Sequence, residues 1–284
     1  ILKEFNFNIL SLANNHIFDY GLEGFNSTIN ILNKLNIGFF GAGLNLDEAR
    51  KPLIITRRNL KFGFLGYNWK FIGGITAGKS FGTAPLKREI ILEDIELLKD
   101  NVDFIIISVH WGYEKERYPL PYHRKLAHEL IENGANLIIG HHPHVIQGIE
   151  KYNNGLIVYS LGNFIFPDII YGDKYKIIQK KENKESFIFN CYFGKDLSIG
   201  FDCFPIFTEN DNYPKNLRYD DQILKQIRIL SAPLLQKNYK DFWKKNRVRK
   251  DLPDFSDNKI INKMIYFLYK SNYGKPVLQL ISKL

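Results

Sequence analysis

Asp103-Phe-Ile-Ile-Ile-Ser-Val109 runs without a break into His110-Trp-Gly112, and Asn136-Leu-Ile-Ile-Gly140 runs in the same way into His141-His-Pro-His144. A continuous apolar run without polar alternation is the pattern of a strand covered on both faces, as in a parallel sheet flanked by helices. Such sheets bind their ligands outside the carboxyl ends of the strands. The intervening stretches fit this reading. Residues 89–100 carry Ile91, Ile95 and Leu98 on one side of a predicted helix, and residues 122–133 carry Tyr122, Leu126 and Leu130 at i, i+4 spacing between Pro121 and Asn133-Gly134.

Working towards the N-terminus, residues 53–56 and 61–67 read as a hairpin around Arg57-Arg-Asn59, and residues 37–40 end in Gly41-Ala-Gly43. Residues 8–12 read as a short strand. It is followed by Ala13-Asn-Asn-His16 and then a helix in which Phe25, Ile29, Leu32 and Leu35 recur. Towards the C-terminus, residues 156–160 form a further strand, and residues 186–193 and 197–205 form a second hairpin around Gly194-Lys-Asp196 that closes the core. From about Asn210 the pattern changes to Lys- and Asn-rich helical segments broken by Pro214, Pro233 and Pro253. The expected organisation is a core over residues 1–209 and a basic, mainly helical extension over residues 210–284.

The bulk numbers narrow the classes. With 284 residues, 45% hydrophobic and 14% aromatic, the chain can bury a sizeable core and is not a disordered one. No apolar run approaches the ~20 residues of a membrane-spanning helix. Two cysteines, Cys191 and Cys203, build neither a disulfide framework nor a thiolate zinc site. The net charge is +9, and residues 211–284 hold 16 Lys and Arg against 7 Asp and Glu, so the remainder balances at 23 of each. That tail is either a solvated helical surface or a face for something anionic, such as lipid head groups, polyphosphate or an acidic polymer. Ile1-Leu-Lys-Glu-Phe5 reads as the last turn of a helix already under way, so the chain is expected to be a fragment or a processed product, with any signal peptide or anchor upstream.

Four times a predicted strand is followed at once by polar or metal-capable residues: Asn14-Asn15-His16, His110-Trp111-Gly112, His141-His142-Pro143-His144, and Leu161-Gly162-Asn163. Five of the seven histidines fall in these loops. One histidine after a strand is usually structural, but packing has no need to gather several on one edge. His142 and His144 flank a stiffening proline and can address neighbouring metal ions. Asn15 offers an amide oxygen, a harder donor suited to Mn, Mg or Fe, and His16 beside it is either a ligand or a proton donor. Imidazoles, an amide and carboxylates around two metals make the arrangement that generates a hydroxide and clamps a phosphoryl group. His123 and His128, about 140° apart on one helix, are most simply surface or packing residues.

Ser11-Leu-Ala-Asn-Asn-His-Ile-Phe-Asp-Tyr-Gly21, Val109-His-Trp-Gly-Tyr-Glu114, Gly140-His-His-Pro-His-Val145 and Tyr159-Ser-Leu-Gly-Asn-Phe164 occur in that order. They resemble the bacterial capsule-biosynthesis CapA family, the poly-γ-glutamate capsule synthesis proteins, within the calcineurin-like metallophosphoesterase superfamily. The resemblance covers roughly residues 1–206. It implies a four-layer α/β/β/α sandwich and a site for two divalent ions (Mn, Fe, Mg or Zn), with Asn15, His110, His142 and His144 at ligand positions and His16 at the proton-donor position. Asp19 and Glu114 belong to the family's local patterns, Asn14 and Asn163 are expected to line the site, and His141 is either a supporting residue behind the ligands or merely exposed. The superfamily begins with a strand ending in an Asp motif, which this sequence does not contain, so the chain by itself is expected to hold at most part of a two-metal centre.

Two functions follow as expectations. One is metal-dependent phosphoester hydrolysis in capsule or extracellular-polymer synthesis. The other is a non-hydrolytic accessory role in which the cleft and the basic tail hold an anionic envelope polymer, with envelope assembly machinery and the membrane surface as further contacts. The resemblance places either in the bacterial envelope, outside the cytoplasm. Nucleic acid is not an expected partner, because the basic residues lie in the tail and are not interleaved with aromatics around the metal loops. Gly41-Ala-Gly43 is too little for a nucleotide-binding loop.

Overall fold

The computed structural model describes residues 2–171, 175–209, 214–217, 221–250 and 252. Much of the expected helical tail, residues 253–284, therefore lies outside the described residues. The N-terminal part forms β1 (Ile9–Ser11), α1 (Gly21–Lys34) and β2 (Gly38–Phe40), with β1 and β2 paired in parallel. Strands β3 (Leu53–Arg57) and β4 (Leu60–Asn68) follow, then α2 (Arg88–Leu98), β5 (Phe104–His110), α3 (Pro121–Glu132), β6 (Leu137–His141), β7 (Ile149–Tyr152) and β8 (Gly155–Val158). The hairpin turn between β3 and β4 holds Arg58 and Asn59 at φ 50° and 66°, the left-handed pair that a two-residue turn needs to match the strand twist.

These strands make one six-stranded sheet in the order β3-β4-β5-β6-β8-β7. The four central strands, β4, β5, β6 and β8, run parallel, and the edges β3 and β7 are antiparallel. The apolar runs are buried on both faces because successive side chains point to opposite sides. Ile105, Ile107 and Val109 of β5, Ile138 of β6 and Ile157 of β8 pack with α2 and α3, through Ile91, Ile95, Leu126 and Leu130. Their neighbours Ile106, Leu137, Leu156 and Val158 face the other layer. That layer is a sheet of β9 (Glu185–Phe193), β10 (Ile199–Thr208) and β11 (Pro214–Asn216), followed by α4 (Asp221–Ser231), which adds Ile223, Ile227 and Leu230 to the same cluster. The result is a mixed α/β sandwich with a central sheet and a C-terminal helical extension. A third cluster, with Phe18, Phe25, Leu32 and Ile37, seats α1 beside β1 and β2.

The C-terminal helices are tied to the body of the fold. A 3-10 turn (Ala232–Leu235) leads to α5 (Tyr239–Asn246), and Leu234, Tyr239 and Trp243 are buried in the α2/α3 cluster. The Tyr239 hydroxyl donates to the Pro119 carbonyl at 2.6 Å and the Trp243 indole N–H to the Tyr118 carbonyl at 3.2 Å. The fully buried Glu116 carboxylate accepts from the backbone N–H groups of Val248 and Arg249, each at 3.0 Å. All three acceptors lie on residues 111–120, the segment that follows His110.

Candidate functional site

The parallel strands end at one edge, and the histidine loops leave from it. His110 is the last residue of β5 and His141 the last of β6, side by side in the register of the pair. Beyond β6 the chain turns sharply: His142 and His144 both have left-handed backbones, with φ of 97° and 58° on either side of Pro143. That conformation is uncommon for any residue but glycine and costs roughly 1–2 kcal/mol each. Such strain persists only where the surrounding structure enforces it. The effect is to bring three imidazoles together, with ring centroids 5.0 Å apart for His110 and His142 and 5.7 Å apart for His142 and His144.

Hydrogen bonds fix the orientation of two of these rings. The Asn15 amide nitrogen donates to the Ile72 carbonyl at 3.4 Å, which leaves its Oδ1 to accept from His110 Nε2 at 3.0 Å. Asn15 is itself confined, because a Cβ on Gly74 would stand 2.8 Å from the Asn15 Cα. Across the site His144 Nδ1 donates to Asn163 Oδ1 at 2.8 Å, while the Asn163 amide nitrogen donates to the Asn183 carbonyl at 3.0 Å. The Asn183 amide closes the circuit on the His144 carbonyl at 2.9 Å. With Nδ1 committed as donor, Nε2 is the ring nitrogen of His144 left for another partner. His142 Nδ1 is buried and has no hydrogen-bond partner.

The site is poor in charge. Burial, and then the neighbouring imidazoles of His142, His141, His144 and His16, hold His110 well below the usual histidine range. Burial also brings His142 down to about 3 and His141 to about 4. These rings are therefore neutral at pH 7 and act as hydrogen-bonding groups or lone-pair donors.

Of the residues expected from the sequence, Asn15, His110, His142, His144 and Asn163 come together. His141 is half-buried beside His110 in the strand pair. Asn14 accepts from the His16 backbone N–H at 2.9 Å and so shapes the loop rather than the cleft. His16 is exposed, with Nδ1 2.8 Å from Asp19 Oδ2. Glu114 is exposed on the segment after His110, and the buried carboxylate of that segment is Glu116. Two residues escaped the sequence reading. Asn68 ends β4 opposite His110, is buried, and has an unpartnered Oδ1, so the rule used for the other strand ends applies to it equally. Asn183 sits in the helical turn Lys181–Lys184, where charged neighbours hide it.

The expected two-metal centre can be tested against these donors. Hard divalent ions want carboxylates. Among the described residues no group of three or more His, Cys, Asp or Glu side chains is placed to hold a metal ion. Asn15 Oδ1 is engaged by His110, and the Asp19 carboxylate by His16. The described residues thus supply an oriented imidazole set but do not fit a complete centre for two ions.

Comparison with known proteins bears on the family. The chain is 38% identical over 168 residues to a protein described as PGA biosynthesis protein CapA from Bacillus subtilis (strain 168), covering 58% of this chain and 44% of that one. It is 35% identical over 170 residues to the capsule biosynthesis protein CapA of Bacillus anthracis, covering 58% and 41%. The chain thus spans less than half the length of these relatives. A crystal structure of a 5'-nucleotidase precursor from Thermus thermophilus aligns over 83% of this chain and 45% of its own, with 15% identity and a TM-score of 0.45, a level that says nothing of activity. The model of one family, described as bacterial capsule synthesis protein PGA_cap, matches residues 1–168, more than half of the 284. The chain belongs to the bacterial capsule synthesis protein family PGA_cap.

Proposed function

We propose that this chain serves capsule or extracellular-polymer synthesis as an accessory protein that holds an anionic envelope polymer, poly-γ-glutamate or an acidic polysaccharide, without hydrolysing it. The observation that carries this reading is the donor set of the cleft: imidazoles and amides are already hydrogen-bonded to one another, His110 to Asn15 and His144 to Asn163, with no carboxylate among them to retain hard divalent ions. Relatives 35% and 38% identical are named for capsule and PGA biosynthesis, which supplies the polymer class. The same relationship supports an extracytoplasmic place of action with envelope assembly machinery as partner, and the basic residues after 210 suit contact with an anionic membrane surface. No helix among the described residues is long and apolar enough to cross a membrane.

A second reading rests on the strained His142-Pro143-His144 turn, which gathers imidazoles as a metal-dependent phosphoesterase would require. In that reading Asn15, His110, His142 and His144 hold metal, His16 protonates the departing oxygen, Asp19 orients His16, and Asn14, Glu114, His141 and Asn163 support the site. The ions would supply a hydroxide nucleophile and neutralise phosphate charge.

Both readings meet in one set of measurements on the purified chain: bound Mn, Fe, Mg or Zn, turnover of bis(p-nitrophenyl) phosphate, and binding of fluorescently labelled poly-γ-glutamate. Polymer binding without turnover is the expected result. Metal-dependent turnover that disappears in the double variant His142→Ala, His144→Ala would sink the accessory reading in favour of the hydrolytic one.

A further inference from the structure

Along the outer side of α3 lies a recess of about 820 Å³, walled on its far side by residues 237–240. None of Asn15, His110, His142, His144 or Asn163 lines it. Its floor is electrostatically settled. Arg124 donates to Glu150 at 2.6 Å and to the Leu234 carbonyl at 2.6 Å. Glu150 also accepts from the Tyr159 hydroxyl at 2.7 Å and lies 3.0 Å from His128 Nε2. Arg88 grips Glu129 through two nitrogens, and Glu132 accepts from the Tyr152 hydroxyl at 2.5 Å. Both carboxylates that line the recess, Glu129 and Glu132, therefore already have donors.

Lys125, Lys237 and Lys240 remain. All three are exposed, all three line the recess, and none has an ion-pair partner among the described residues. They come from two separate elements, so the fold and not a local run of sequence sets them around one concavity. Tyrosines 122, 152 and 239 share the lining and give apolar surface between the charges. We infer that this recess is a binding site for an extended, carboxylate-bearing chain, with Lys125, Lys237 and Lys240 as its contacts.

The dimensions and the energetics both favour a chain over a small anion. From Tyr122 to Glu132 the helix advances ten steps of about 1.5 Å, roughly 15 Å, which is about four residues of an extended peptide. A single solvent-exposed ion pair is weak and screened by salt. Three such contacts on one molecule reinforce one another, because the first raises the effective concentration of the others. A monomeric carboxylate makes one of them and gains nothing from the rest. A recess also suits a strand of polymer better than the flat face of a bilayer. The assignment rests on the accessory reading for the class of polymer, but the site lies apart from the histidine cleft and is tested apart from it.

The test uses the full chain and labelled poly-γ-glutamate oligomers, followed by fluorescence anisotropy at low and at moderate salt. The triple variant Lys125→Gln, Lys237→Gln, Lys240→Gln is compared with a control of equal charge change, Lys34→Gln, Lys51→Gln, Lys195→Gln, at exposed positions outside the recess. Affinity is expected to fall at least tenfold in the first and less than twofold in the second, with a shallower salt dependence in the first. Free glutamate is expected to compete only at concentrations far above those of the oligomer. If the wild type binds the oligomer and the two variants behave alike, the recess is not the site, while the accessory reading stands. If the wild type binds no oligomer, the assignment of the recess fails, and with it the poly-γ-glutamate form of the accessory reading. Lysine-dependent capture by vesicles containing phosphatidylglycerol, without capture of the oligomer, would make the recess a lipid-facing surface and overturn the assignment.

Discussion

His123 is enclosed between two indoles, its ring 4.8 Å from Trp111 in a stacked arrangement and 4.5 Å from Trp69 edge-on. Both of its nitrogens are buried without hydrogen-bond partners, and burial brings its pKa to about 3. In the unfolded chain the same imidazole titrates near 6.5. Its folded pKa is thus depressed, the unfolded state takes up the proton first, and the stability it permits is present above pH 6.5 and lost as pH falls towards 3. Between pH 7.5 and pH 4.5 the loss integrates to about 2.6 kcal/mol for this one group. The perturbation is His123→Phe, which keeps an aromatic ring between the indoles and removes the titration. It adds a little volume, so a constant penalty of about 1 kcal/mol is expected. A constant offset leaves the pH slope untouched. Urea unfolding followed by tryptophan fluorescence at the two pH values gives the difference directly. The wild type should lose about 2.6 kcal/mol more than the variant across that interval. Equal losses in the two proteins would refute the picture of a neutral imidazole sealed between Trp69 and Trp111.

Three further outcomes follow from the packing. Glu116→Gln places an amide where two backbone N–H groups converge on a buried carboxylate, and should cost about 1–3 kcal/mol, read as a lower urea midpoint. Asp94→Ala strips a partner from Arg50, which donates to it at 2.9 Å, and from the buried Tyr67 hydroxyl at 2.6 Å; a loss of about 3 kcal/mol is expected in the same assay, and a loss below about 1 kcal/mol would show that neither group depends on it. Gly140→Ala would drive a Cβ into the Tyr159 carbonyl oxygen, backbone that cannot swing aside, so about 3 kcal/mol or more should be lost, and a soluble variant of unchanged melting temperature would contradict the close packing of β6 on the segment after β8.

The parallel sheet was legible because β5 and β6 are buried on both faces, which leaves an apolar run in the sequence that needs no context to interpret. The edge strand β7 was not, since Ile149-Glu-Lys-Tyr152 mixes charge into a short segment, and Glu150 is buried only because Arg124 from another element meets it. The loops of the site could be found from strand ends alone, but which residues meet could not. Asn163 reaches His144 across the site, whereas Glu114, in the motif beside His110, points to solvent. His123, expected at the surface or in packing, lies fully in the packing, because its helix turns it towards Trp111. The docking of α4 and α5 was hidden by composition: a Lys- and Asn-rich stretch reads as solvated, although Ile223, Ile227 and Leu230 recur at i, i+4, i+7 and Tyr239 and Trp243 at i, i+4.

The grip of residues 239–249 on the segment after His110 also makes the fold a mechanical linkage. Tension applied along the chain beyond Leu252 loads the buried Leu252 side chain and the bond from Arg247 to its carbonyl first, then the Glu116 carboxylate, and then the contacts of Trp243 and Tyr239 with Tyr118 and Pro119. Since that segment begins at His110, a pull on the C-terminal side is felt at the imidazole cluster through its covalent attachment to β5, without a domain interface in between.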